Sequence, residues 1–227
     1  MPQLNNINLW LLFLPFFAIF LITTRVMGKL AKGFYTAIPP GRPFSIFNLE
    51  FPGSDEALTS LILRMDKEVK KKVRKNLIVN YLFMLGVYPG IAILCFIASS
   101  RVYADSPLGS NILQMMGIAQ VIPWLCDIIE NAILLKKLQK PTPPNPGTYK
   151  VFKWIVGIKF FVALIAVTST IFIMLYIWLI GGFPVNITLI FSGLVAAFIV
   201  LMLVKAVIKH YKRRKKERLA MAIAQSL

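Results

Sequence analysis

Five long apolar runs constrain the fold of this chain more than any motif does. They cover residues 7–24, 77–99, 111–135, 151–180 and 184–209. A helix of about 20 mostly apolar residues crosses the hydrocarbon core of a bilayer, so each run is long enough to be a span. Hydrophobic residues make up 57% of the chain and charged residues 15%, whereas soluble domains average about 45–50% and about 25%. The sequence predicts an all-α polytopic protein with five transmembrane helices in a single membrane domain.

The positive charges give this topology an orientation. Eleven Lys and Arg lie in residues 25–75, five in 136–153 and eight in 205–218, against one in the two remaining loops together. With five spans all three basic regions face the same side, as the positive-inside rule requires. Four spans, with 111–135 re-entrant or on the surface, would separate them. We therefore expect an uncleaved first span, an outside N-terminus and a cytoplasmic C-terminus.

The predicted cytoplasmic loop, residues 25–76, contains an amphipathic pattern. Ser54 has the character of an N-cap, and residues 54–76 are predicted to form a helix with an apolar stripe. The stripe consists of Leu58, Ile62, Met65, Val69 and Val73. It can lie on anionic lipid headgroups, or pack against this protein or a partner. The basic residues that would contact lipid or another polyanion are Lys70, Lys71, Lys72, Arg74 and Lys75.

A second basic block lies in the predicted cytoplasmic tail, residues 210–227. Its densest part is Lys212, Arg213, Arg214, Lys215 and Lys216. Attraction to phosphate is non-specific, so contact with phospholipid, with ribosomal RNA or another nucleic acid, or with an acidic protein remains open. The positive-inside rule by itself already accounts for the charge.

The third predicted span carries polar residues inside the membrane. On a helix Gln120, Asp127 and Asn131 share one face and Glu130 lies at its edge. A carboxylate facing lipid is costly, so this face should point toward other helices or water. Lys159 lies at a comparable depth on the fourth span and is the expected partner of Asp127 or Glu130. The predicted intramembrane cluster comprises Asn80, Tyr81, Gln120, Asp127, Glu130, Asn131 and Lys159.

No pattern typical of an enzyme or of a metal or nucleotide site accompanies this cluster. The chain has two cysteines and one histidine, and neither zinc-ligand spacing nor a Gly-rich phosphate loop occurs. We therefore expect no catalytic residues, no metal and no cofactor. The cluster can be a proton or cation site, a polar groove open to the cytoplasm, or an ion-pair network that holds helices together.

Three segments resemble an uncharacterised group of small bacterial integral membrane proteins. They read L-E-F-P-G-S-D-E-A at residues 49–57, N-Y-L-F at 80–83 and D-I-I-E-N at 127–131. The resemblance covers about half of the chain. It implies a bacterial cytoplasmic (inner) membrane location and brings no activity, cofactor or ligand. In plan the chain is also similar to the bacterial membrane protein insertases, although its first span has no internal arginine.

Two functions from different classes follow from these observations. The first is a non-enzymatic accessory or assembly subunit that docks other membrane protein subunits, favoured by helix-packing motifs such as Gly86 and Gly90. The alternative is a small transporter or insertase with a cytoplasm-facing groove around Asp127, Glu130 and Lys159. An enzyme that uses the same carboxylates on a lipid headgroup is a third possibility.

Overall fold

Four helices of the computed structural model are long and apolar enough to cross a membrane. The structure describes residues 9–37, 41–141 and 145–180, and the fold is all-α. The elements in chain order are α1 (Leu9–Ala31), β1 (Tyr35–Thr36), β2 (Arg42–Pro43), α2 (Phe47–Glu50), α3 (Asp55–Leu63), α4 (Lys67–Val102), α5 (Pro107–Ile118), α6 (Val121–Gln139) and α7 (Pro146–Leu179). Two compact units, Met1–Met174 and Leu175–Leu227, divide the chain, and the site below belongs to the first.

The first four predicted spans correspond to these apolar helices. Residues 7–24 fall mainly in α1, 77–99 in α4, 111–135 across α5 and α6, and 151–180 in α7. The fifth predicted span, 184–209, and the basic tail, 210–227, lie outside the described residues. Four helices able to span a membrane are therefore established, and the fifth span stays a prediction.

The predicted helix over residues 54–76 is wrong as a single, separate element. Ser54 does cap α3, since its hydroxyl accepts a hydrogen bond from the Ala57 N–H at 3.1 Å. However, α3 ends at Leu63, and Asp66 caps a new helix by accepting from the Val69 N–H at 2.7 Å. A short side-chain acceptor competes with helix continuation and favours a new N-terminus. The basic residues that follow form the first turns of α4, which runs on into the second span.

Pro123 explains why the third span consists of two helices. A proline ring clashes with the carbonyl of the residue four positions earlier, which is Ala119, between α5 and α6. The chain turns there through shorter-range hydrogen bonds, from Gln120 N to Gly117 O at 3.2 Å and from Ile122 N to Ala119 O at 2.9 Å. The proline therefore accounts for the break, and α6 begins at Val121, ahead of Asp127, Glu130 and Asn131.

The apolar stripe faces the protein's own interior. We call the end of the bundle where α1 ends and α4 begins the basic end. All five stripe residues are buried there, together with Phe34, Leu49, Leu134 and Phe152. Because this core takes up the stripe, contact of the stripe with headgroups is not needed to cover it. Of the alternatives left open by the sequence, packing against the same chain is the one present.

Helix α1 packs closely on α4 at Gly86. A Cβ atom at position 86 would lie 2.6 Å from the Phe20 backbone nitrogen and 2.9 Å from the Phe16 carbonyl oxygen. At Gly90, the other glycine of the G-x-x-x-G motif, the nearest atom would be 3.8 Å away, on the Phe13 ring. Close helix approach needs a residue without a side chain at the contact, so Gly86 is the residue of the pair on which the packing depends.

Candidate functional site

Lys159 of α7 is surrounded by three carboxylates from two other helices. Its Nζ lies 2.6 Å from Glu130 Oε2, 3.3 Å from Asp127 Oδ1 and 3.9 Å from Glu50 Oε1. The contact of Lys159 with the third span, predicted from depth along the helices, is therefore present, and both carboxylates of α6 take part in it. We call Glu50, Asp127, Glu130 and Lys159 the charged cluster.

Helix α4 supplies neutral donors to one member of the cluster. The Tyr88 hydroxyl donates to Asp127 Oδ2 at 2.9 Å, and Asn80 Nδ2 donates to Asp127 Oδ1 at 3.3 Å. With Lys159, Asp127 thus receives three donors, and both of its oxygens are paired. Asn80 was predicted to belong to the cluster from its depth, whereas Tyr88, two turns further along α4, was not.

Glu130 is less well satisfied than Asp127. Its side chain has no exposed area, and Oε1 has no hydrogen-bond partner among the described residues. Buried polar atoms are nearly always paired, because an unpaired one loses its hydration without compensation. The unpaired oxygen therefore indicates that the surrounding side chains do not supply enough hydrogen-bond donors for a Glu130 carboxylate.

Glu50 reaches the cluster from outside the long helices, and the sequence reasoning missed it. It is the last residue of the one-turn helix α2. Burial raises the pKa of the Glu50 carboxyl above its ordinary value, against the opposing effect of the Lys159 ammonium. The available signal was an acidic residue directly after Leu49, because Leu49 is buried in the core and carries the adjacent backbone inward.

No described hydrogen bond joins the remaining predicted cluster residues, Tyr81, Gln120 and Asn131, to the charged cluster. Tyr81 is half-buried. Gln120 is buried at the α5–α6 break, and its amide donates to the Met116 carbonyl at 3.2 Å. Asn131 is 1% exposed, and its Nδ2 has no partner in the described part of the chain. Sharing a helix face with Asp127 thus did not bring Gln120 into contact with the charges.

A second buried lysine, Lys137 of α6, pairs with Asp55 at the start of α3. The other Asp55 oxygen accepts from the Asn145 backbone N–H at 2.7 Å. Close by, the Tyr149 hydroxyl donates to the Pro52 carbonyl at 2.6 Å. These contacts fix residues 50–55 against α6 and α7, and therefore hold Glu50 beside Lys159. Both residues of the ion pair were visible in the sequence, but nothing there related them.

Of the two groups of basic residues predicted to contact polyanions, the structure describes the first. Lys71, Lys72, Arg74 and Lys75 are exposed on the first turns of α4, and Lys70 is half-buried. Lys212, Arg213, Arg214, Lys215 and Lys216 lie outside the described residues. The first group thus forms an exposed basic face at the basic end of the bundle, opposite the buried stripe of the same helix.

The charged cluster is closed and occupied by its own lysine. Asp127, Glu130 and Lys159 are 3%, 0% and 4% exposed, and Phe51 covers the neighbouring Phe160 ring at 5.2 Å between centroids. Within residues 9–37, 41–141 and 145–180, no three His, Cys, Asp or Glu side chains are placed to hold a metal ion. The arrangement can hold helices together and can bind protons, but it does not line an open groove in this structure.

Comparison with protein families, curated proteins and solved structures finds no match for this chain. The geometry of the site is therefore the basis for a functional proposal.

Proposed function

We propose that this protein is a non-enzymatic integral protein of a bacterial inner membrane that acts as an accessory or assembly subunit of a larger membrane complex. The observation that supports it is that the charged side chains of the apolar helices pair with one another inside the protein. Asp127 and Glu130 both pair with Lys159, Asp127 also accepts from α4, and at most 4% of each residue is exposed. What the chain presents outward is apolar helix surface and a basic face, which suit protein and lipid contacts rather than catalysis.

The experiment is site-specific photo-crosslinking on three different helices in intact membranes. Ile22 on α1, Met115 on α5 and Leu164 on α7 are 64%, 70% and 65% exposed, so a photoreactive residue is tolerated at each. A subunit contacts its partner through a defined surface, so we expect one position to give a discrete protein adduct while the others react with lipid. Lipid adducts alone at all three positions, together with a lone monomer in mild detergent, would contradict the proposal.

The orientation is part of this proposal and has its own test. The charge distribution supports a cytoplasmic basic end. Asp105, between α4 and α5, and Lys71, on the first turns of α4, are both exposed. A membrane-impermeant maleimide should therefore label Asp105→Cys in intact cells and Lys71→Cys only after lysis. The reverse pattern would invert the topology, and with it the proposed contact of the basic face with anionic headgroups of the inner leaflet.

A small transporter or insertase remains the second candidate, favoured by the composition of the charged cluster. Three carboxylates face one ammonium group, and Glu130 Oε1 is unpaired. Intramembrane ionisable residues are functional candidates by default. This function requires the closed cluster to open toward the cytoplasm during a cycle.

The subunit and the transporter or insertase predict different effects when the charges of the cluster are removed and the shapes of its side chains are kept. If the cluster conducts, Asp127→Asn combined with Glu130→Gln should abolish complementation of a deletion strain at unchanged protein abundance. The matched control is Glu56→Gln, which removes an exposed carboxylate on α3. Full complementation by the double variant would rule out the transporter or insertase and leave the subunit.

A further inference from the structure

We propose that the charged cluster binds protons at neutral pH, and that Glu50 is the residue through which these protons exchange with water at the basic end. The proposal goes beyond the proposed function, because it concerns a bound ligand, the proton, and holds for a subunit as well as for a transporter. It depends on the charge balance of the cluster, on an unpaired oxygen and on the position of one residue.

Charge balance requires more positive charge than Lys159 supplies. Three carboxylates around one ammonium leave two negative charges in a buried site. Lys137, the other buried lysine in the described ranges, is committed to Asp55. Like charges that share a buried site cannot all stay ionised. The missing charge must therefore come from a bound cation or from protons.

The position of Lys159 excludes a bound metal cation as the balancing charge. Its ammonium lies within 4 Å of all three carboxylates, which is the place that a shared metal ion would need. The described acids also form no three-ligand group. Protons on the carboxyl groups themselves need no additional space, so they are the ligand that fits.

Glu130 and Glu50 are the two groups suited to carry the protons. Both oxygens of Asp127 already accept hydrogen bonds, from Tyr88, Asn80 and Lys159. Glu130 has an oxygen that is fully buried and has no donor. Burying a neutral hydroxyl at that place costs less free energy than burying an oxygen that shares the negative charge of a carboxylate.

Glu50 connects the buried groups with solvent. Its side chain is 11% exposed, whereas those of Asp127 and Glu130 are 5% and 0% exposed. It is also the cluster acid that lies outside the spans, on α2. A proton that reaches Glu130 through the cluster from the basic end therefore passes Glu50. The titratable groups that face the cluster from the packed helices are Tyr81 and Tyr88 of α4, Cys126, Asp127 and Glu130 of α6, and Lys159 of α7.

Infrared difference spectroscopy on the full chain in lipid nanodiscs tests both parts of the proposal. Protonated carboxyl groups absorb apart from carboxylates and shift in D₂O. At neutral pH we expect the wild type to show a protonated-carboxyl band that disappears in alkaline buffer. Glu130→Gln and Glu50→Gln should each reduce this band, since each variant removes one of the acids and with it one bound proton. The exposed-site variant Glu56→Gln should leave it unchanged.

The exchange rate separates Glu50 from the buried acids. After rapid transfer into D₂O, the remaining band of Glu50→Gln should shift about tenfold more slowly than the wild-type band, equivalent to about 1.4 kcal/mol of added barrier. An unchanged rate would overturn the role of Glu50. Absence of the band from the wild type at neutral pH would overturn proton binding altogether, whether or not any variant folds.

Discussion

Helices α1 and α7 are attached to the same central helix by different kinds of contact. At α1 the backbone approaches Gly86 of α4, and the Phe20 and Phe83 rings pack at 5.5 Å between centroids. At α7, apolar packing of Ala166 against α4 is accompanied by polar contacts: Lys159 pairs with α6, and Thr170 lies 3.3 Å from Cys95 of α4. The first attachment depends on shape and on a neutral hydrogen bond, from Asn76 to the Met27 carbonyl at 3.0 Å, whereas the second depends also on charge.

This difference predicts how each attachment responds to its surroundings. Van der Waals packing at Gly86 involves no group that gains or loses a proton, so it should be insensitive to pH. The contacts of α7 depend on how many protons the three acids carry. A protein with both kinds of attachment can keep α1 on α4 while the surroundings of Lys159 change.

Replacing Lys159 should give the largest loss of stability. Lys159→Met removes the ammonium group that balances the remaining negative charge of the buried acids, and removal of one partner of a buried ion pair costs about 3–5 kcal/mol. Protonated carboxyls need no counter-charge, so the loss should shrink in acid. The measurement is the midpoint of thermal unfolding in detergent at several pH values. Lys153→Met, at an exposed position on the same helix, is the control. Equal, small losses for both variants would show that the cluster does not hold α7.

The ion pair of Asp55 should have a similar but smaller effect. Asp55→Asn leaves Lys137 without its carboxylate, while the amide oxygen can still accept from the Asn145 N–H. We expect a loss near the lower end of the range for buried pairs, about 3 kcal/mol. The adjacent exposed Glu56→Gln is the control. If Asp55→Asn also releases the segment that carries Glu50, a protease should cleave residues 50–55 faster in the variant than in wild type.

Gly86→Ala should damage the α1–α4 contact through overpacking. The added methyl group would lie against the Phe16 and Phe20 backbone, which cannot move as a side chain can, and overpacking costs about 1–3 kcal/mol. Gly90→Ala is the matched control, because its nearest neighbour at 3.8 Å is in ordinary contact. The loss should be the same in acid and at neutral pH. A pH-dependent loss would contradict the division between shape and charge.

Much of this architecture followed from local pattern. Apolar length located the four helices, and the spacing of Leu58, Ile62 and Val73 identified an apolar stripe, because both signals depend on neighbours along the chain. The break at Asp66 was missed because the stripe continues in phase across it. A single hydrogen bond, from the Val69 N–H to the Asp66 carboxylate, thus starts a new helix within a periodic pattern that extends over several turns.

The candidate site was predictable only where its members lie on spans. Depth along the helices related Lys159 to Asp127 and Glu130. Glu50 and Asp55 depend on how the segment between α1 and α4 folds back, through a short hairpin and a one-turn helix. Such a path is determined by tertiary contacts, including those of Lys137 and Tyr149, and no periodicity in the sequence encodes it.

The contact between Thr170 and Cys95 should contribute least among these attachments. Thr170→Val keeps the shape of the side chain and removes the hydroxyl, and hydrogen bonds between membrane helices contribute about 0.6 kcal/mol on average. Thr168→Val, at an exposed position, should have no effect on unfolding. The informative measurement is the double variant with Lys159→Met. If the two polar contacts hold α7 independently, their losses add; a combined loss smaller than the sum would show that Lys159 positions Thr170. Combination with Gly86→Ala should be additive in either case, because α1 and α7 are attached through separate contacts.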